Sequence, residues 1–162
     1  MTATDAQGLF VTTTLTITVE DVNNPPVLTA VDLSIAEHSP SATVIGQFTV
    51  TDADVTQTHA FSINAVTPAV AAAALSLNSL TGELKVADSS ALDFEGYGVG
   101  NTAWTVEVAV TDSGSPPFSV SKTITLTLLD VGEAPVLGST SYDLNENSVG
   151  VFTTLLMSDV DG

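Results

Sequence analysis

Carboxylates are the side chains of this sequence that could do chemistry, and their spacing sets them apart. There are 19 Asp and Glu against 2 Lys and Arg, a formal charge of −17. Acids that only keep a chain soluble have no reason to recur at a fixed interval. Here Asp21 returns as Asp130 and Glu37 as Glu146, both at a spacing of 109, and Asp52-Ala53-Asp54 returns as Asp159-Val160-Asp161 at about that interval. Thr4-Asp5 with Gly8 is likewise answered by Thr111-Asp112 with Gly114. Carboxylates gathered in one place hold hard, oxygen-seeking cations. The same imbalance repels phosphate backbones and anionic headgroups and leaves no basic patch, which argues against nucleic acid as a partner.

Other chemistries lack their parts. Zero cysteines remove disulfides, thiolate nucleophiles and sulfur-ligated zinc together. His38 and His59 have no second imidazole at metal-ligand spacing and are assigned no chemistry. There is no Gly-x-Ser-x-Gly and no glycine-rich phosphate loop after a strand. No run approaches the roughly 18 apolar residues of a membrane span, so no direct membrane insertion is expected. Nor does a basic and then apolar export signal follow Met1.

The elements that must position the acids follow from the repeat. Glu20–Leu28 (Glu-Asp-Val-Asn-Asn-Pro-Pro-Val-Leu) comes back as Leu129–Leu137 (Leu-Asp-Val-Gly-Glu-Ala-Pro-Val-Leu). A period of one small domain means tandem modules rather than a solenoid, because each unit can bury its own core. With 44% hydrophobic residues there is enough to bury. Residues 10–20 alternate threonine with Leu15, Ile17 and Val19, the pattern of a half-buried strand. Asn23, Asn24, Pro25 and Pro26 end it and make a stiff linker.

Seven short strands are expected between Val27 and Asp130, the first reaching Ala36 and the second running from Thr43 to Thr51 with Val44, Ile45, Phe48 and Val50 inward. The run at 67–74 suits a turn of helix or a loop. A hairpin is expected around Gly82, then two long strands, one lined by Trp104, Val106, Val108 and Val110 and the next by Ile124, Leu126 and Leu128. Short strands joined by turn chemistry make an all-β sandwich. Trp104, in register with three valines, is a core residue in this reading.

In order, Ala36-Glu37-His38, Asp52-Ala53-Asp54, Leu92-Asp93-Phe94-Glu95, Val110-Thr111-Asp112-Ser113-Gly114 with Pro116, and the two linkers resemble the motifs of a cadherin-type repeat. The resemblance covers the whole chain. It implies an immunoglobulin-like Greek-key β-sandwich of about seven strands. Residues 1–25 would be the closing strands of a preceding repeat plus linker, 26–134 a complete cadherin-like domain, and 135–162 the opening strands of a following repeat. The linkers are one residue shorter than the animal form and look like those of cadherin-like tandem repeats in large bacterial surface proteins; Gly132 stands where the linker's first Asn would be.

The family's sites are Ca2+ sites. Carried over, Glu37, Asp93, Glu95, Asp130 and Glu133 would meet at one pole and face Asp159 and Asp161 across the linker. Asp21, Asn23 and Asn24 would meet Asp52, Asp54 and Asp112 at the other. Carboxylates about 4 Å apart repel by roughly 4 kcal/mol at an effective dielectric near 20, so such a pole needs cations. A cation would also fill any glycosidase-like pair such as Asp93 and Glu95, so no catalytic residue and no enzyme activity are expected.

The expected function is a calcium-dependent structural and adhesive module of a long extracellular or cell-surface protein, ions at each junction stiffening the array. Its partners would be neighbouring repeats of the same chain, with a homophilic, glycan or protein ligand at a cell surface. The alternative is a calcium-ordered carbohydrate- or protein-binding module appended to a secreted enzyme or adhesin. A chain that starts in mid-module also reads as a fragment, whose end strands, including Leu144, Val151, Phe152, Leu155 and Leu156, would fray or pair between copies.

Overall fold

The computed structural model describes residues 1–98, 100–137, 146–147 and 157–159. The hairpin β1 (Thr2–Thr4) and β2 (Phe10–Thr12) comes first. The central module follows: β3 (Val27–Thr29), β4 (Leu33–Ala36), β5 (Val44–Gln47), β6 (Thr49–Thr51), β7 (His59–Thr67), β8 (Leu75–Leu77), β9 (Glu83–Val86), β10 (Ala103–Asp112) and β11 (Ser119–Leu129). One layer has the order β4-β11-β10-β7, antiparallel except for the parallel β11–β4 pair. The other is built from β3-β6 and β5-β9-β8, with β5 and β6 separated only by Phe48.

Between the layers lies one apolar cluster. Trp104, Val106, Val108 and Val110 of β10 and Ile124, Leu126 and Leu128 of β11 are buried, as their alternation predicts, and Leu28, Phe48 and Leu84 close it from the opposite sheet. The β8–β9 hairpin forms at Gly82, whose φ of +72° an L side chain rarely adopts and whose Cβ would stand 2.6 Å from the Phe48 carbonyl oxygen. The alanine run is a 3₁₀ helix, Ala69–Ala74, with Pro68 before it.

The first expected strand is instead two, in different sheets. Between them Asp32 accepts a hydrogen bond from the Thr125 amide at 2.7 Å, supplying an acceptor where the strand has left the ladder. The second expected strand is also interrupted. A register irregularity between Val44 and Gly46 leaves Val44 exposed, because a bulge shifts the alternation that put it inside. The seven expected strands thus appear as nine ladder segments.

Residues 13–20, expected to continue a half-buried strand, form no ladder, and Leu15, Ile17 and Val19 are 62–89% exposed. Alternation buries a face only where a second layer covers it, and among the described residues none covers this one. The short end pieces still keep the module's pairing. β12 (Val136–Leu137) pairs with β13 (Met157–Ser158) as Val136↔Ser158, where β3 pairs with β6 as Val27↔Thr51. Asp5 closes the first hairpin by accepting from the Gln7 and Leu9 amides, as Asp112 accepts from Gly114 and Phe118. Leu144, Val151, Phe152, Leu155 and Leu156 lie outside the described residues.

Candidate metal centre

Glu37 follows β4 at the point where its parallel ladder with β11 ends, and its amide donates to the Leu129 carbonyl at 2.9 Å. The side chain is 2% exposed. Its Oε2 accepts from the Phe94 amide at 2.7 Å and its Oε1 from the Val131 amide at 2.8 Å. One carboxylate therefore fastens three segments that are far apart in sequence: the end of β4, the turn before β10, and the linker after β11.

That turn contains a single helical turn, α1 (Phe94–Tyr97), with Asp93 as its N-cap: Oδ1 accepts from the Gly96 amide at 2.9 Å. A cap must precede the helix and Glu95 must lie in its first turn, so the Asp-x-Glu spacing aims both acids at one side. Carboxylate oxygens of Glu37, Asp93 and Glu95 all lie within 4.8 Å of one another. A second group with the same closeness joins Glu37, His38 and Glu133. Asp130 is exposed and belongs to neither group. Asp159 is exposed, and Asp161 lies outside the described residues. The lysines are elsewhere, Lys85 paired with Glu83 on β9 and Lys122 exposed on β11.

The opposite pole is tied mainly by hydrogen bonds. Asn23 Nδ2 donates to the Pro116 carbonyl at 2.7 Å and lies 3.3 Å from Asp112 Oδ2; the Asn24 amide donates to Asp54 Oδ2 at 2.7 Å. Asp52 Oδ1 accepts from the Asp54 amide, and its Oδ2 is 2.8 Å from His59 Nε2. That imidazole, then the Asp54 amide, hold the Asp52 carboxyl below the usual carboxylate range. Asp54 and Asp112 are buried, whereas Asp21 is exposed. Among the described residues no three acids here approach one another as those around Glu37 do.

No family model matches the chain. Protocadherin gamma-A11 of Pan troglodytes is 35% identical over 146 residues, covering 85% of this chain and 14% of its own length. Among solved structures, the human desmocollin-1 ectodomain superposes with a TM-score of 0.61 at 25% identity, over 97% of this chain and 31% of that one. The protocadherin gammaB7 EC3-6 cis-dimer gives 0.67 at 22%, over 98% and 41%. The fold is the cadherin-type sandwich. The chain spans only about 14% of the curated relative it matches. These relatives are cadherins, and the matched structures are of ectodomains or extracellular cadherin domains.

Sequence reasoning missed three polar residues of this cadherin-type module. His38 and His59, assigned no chemistry, each face a carboxylate, Glu133 at 3.1 Å and Asp52 at 2.8 Å. Gln57 donates to Asn23 Oδ1 at 2.6 Å. Adjacency to Glu37 was the available signal for His38; for His59 and Gln57 the partners are set by folding alone.

Gly114 leaves room for Asn23, since a Cβ there would stand 2.2 Å from its side-chain atoms. Gly114→Ala should therefore push Asn23 off Pro116 and Gln57 and cost about 1–3 kcal/mol, the usual net value of two hydrogen bonds. Denaturant midpoints and the Asn23 side-chain amide signals would read this; unchanged signals would mean that Asn23 is not held there.

Proposed function

We propose that the chain is a calcium-dependent structural and adhesive segment of a long, repetitive surface protein. In this reading residues 26–134 form the complete module, 1–25 close a preceding repeat and 135–162 open a following one. Matched ladder registers at both ends support that division: β12–β13 pairs as β3–β6 does, and Asp5 closes its hairpin as Asp112 does. The short linkers favour a bacterial surface protein over an animal receptor, with neighbouring repeats of the same chain as first partners.

The observation that carries the calcium reading is the buried Glu37 carboxylate, shared between Asp93 and Glu95 on one side and Glu133 on the other with no lysine among them. The donors fit the ion. Calcium takes about 6 to 8 oxygens in flexible geometry. Each Glu37 oxygen spends one lone pair on an amide and keeps another for a metal. Glu37, Asp93, Glu95, Asp130 and Glu133 would hold ions with Asp159 and Asp161 at one junction; Asp21, Asn23, Asn24, Asp52, Asp54 and Asp112 would do so at the other. The ion neutralises clustered charge and links a linker to the ends of its two neighbours.

Extracellular calcium modules bind at about 10⁻⁴ to 10⁻³ M. At about 10 mM calcium the folded state should gain about 1.4–2.7 kcal/mol by mass action. Calorimetric titration and thermal melts with calcium and with chelator check this, and identical melts would refute it. Small-angle scattering on a chain of two whole repeats should show a stiffer particle with calcium.

A further inference from the structure

We infer that the Glu37–His38–Glu133 group is a second ion position at this pole, one that prefers zinc to calcium. It goes beyond the calcium reading, with which it shares Glu37 and Glu133, and rests on the geometry of the triad. The two groups meeting at Glu37 differ in chemistry. Asp93 and Glu95 offer only oxygens, whereas the other side adds an imidazole nitrogen. Hard calcium has little use for nitrogen; zinc, being borderline-soft, binds imidazole and carboxylate together.

One separation matches zinc directly. Ligands about 2.0–2.1 Å from a tetrahedral zinc stand about 3.3 Å apart. His38 Nδ1 and Glu133 Oε1 are 3.1 Å apart, and the ligand atoms of all three residues lie within 4.8 Å. Three protein ligands with a fourth position left for water is a common zinc arrangement. Glu37 is fixed in advance by the Phe94 and Val131 amides, and His38 by its own amide, which donates to the Leu92 carbonyl at 3.1 Å. His38, Glu133, Asp93 and Glu95 line one solvent-open hollow of about 440 Å³, so an ion can enter from water. Zinc would take the Nδ1 lone pair of the neutral ring, leaving its proton on Nε2.

His59 serves as an internal control. It faces Asp52, and among the described residues it belongs to no group of three metal-ligating side chains.

The experiment titrates zinc chloride into the chain near pH 7 without calcium, following both histidine rings by NMR and heat by calorimetry. One equivalent should move the His38 ring signals and leave His59 unmoved. Loss of partners outside the coordination sphere costs about 10–100-fold in metal affinity, so His38→Gln, which removes a direct ligand, should weaken zinc at least about tenfold. Calcium affinity of His38→Gln should stay within about twofold of the parent, and Asp93→Asn should weaken calcium while leaving zinc. Zinc that moves His59 instead, or that binds His38→Gln as tightly as the parent, overturns the proposal.

Discussion

Glu37→Ala should destabilise the module by about 2–4 kcal/mol in chelator and remove the calcium response of the pole that carries it. The first part follows from the two amides the carboxylate satisfies. Phe94 and Val131 would lose a charged acceptor in a place where Glu37 itself is 2% exposed. Each such loss costs about 1–3 kcal/mol. An opposing effect is relief of repulsion, because Asp93 and Glu95 lie within 4.8 Å of Glu37. That relief is the smaller effect. Asp93 is exposed and Glu95 half-buried, so water and salt screen them and their side chains can swing apart, whereas the amides cannot move without breaking a turn and a linker.

The second part follows from Glu37 belonging to both ion groups. Parent and variant should therefore diverge further as calcium rises, by about the 1.4–2.7 kcal/mol the parent gains near 10 mM. Urea titrations at two calcium levels measure both parts. A variant as stable as the parent in chelator would show that the amides find other partners, and a variant that gains as much stability from calcium as the parent does would move the site away from Glu37.

How much of this was legible beforehand depends on the range of the interaction. The Gly82 hairpin and the stripe from Trp104 to Val110 are set by neighbours a few residues away, and spacing alone exposes them; the helical turn that carries Asp93 and Glu95 is not read from spacing. The meeting of Glu37 with Asp93, Glu95 and Glu133 is not local; it became readable because the resemblance supplied the topology. What stayed hidden was decided across the sheets. Asp32 reaches Thr125 only because the strand changes layers between β3 and β4, and Val44 faces out only because β5 slips against β9. The alternation at Leu15, Ile17 and Val19 records a capacity for burial that the described residues leave unused. Asp130 shows the converse: a residue at a motif position can stand exposed outside the groups its neighbours form.

Trp104→Ala should cost about 3–5 kcal/mol, the usual range for emptying a large aromatic site that cannot collapse. Trp104 is fully buried, pairs across the ladder with Leu126, and sits 5.0 Å, centroid to centroid, from the tilted ring of Tyr97. That ring links the core to the pole. Tyr97 is the last residue of α1, the turn that Asp93 caps and that carries Glu95, and its hydroxyl donates to the Ala91 carbonyl at 2.9 Å. Removing the indole takes away the surface on which the turn rests, so calcium affinity should fall several-fold as well as stability. Val108→Ala provides the comparison: Val108 is equally buried in the same strand but makes no ring contact with α1. It should lose stability, by less, with calcium affinity unchanged. If both variants bind calcium like the parent, the pole is independent of the tilted ring pair and α1 is held by Glu37 and its own cap alone. If only Trp104→Ala weakens binding, the geometry of the acids is set partly from the core, through Tyr97.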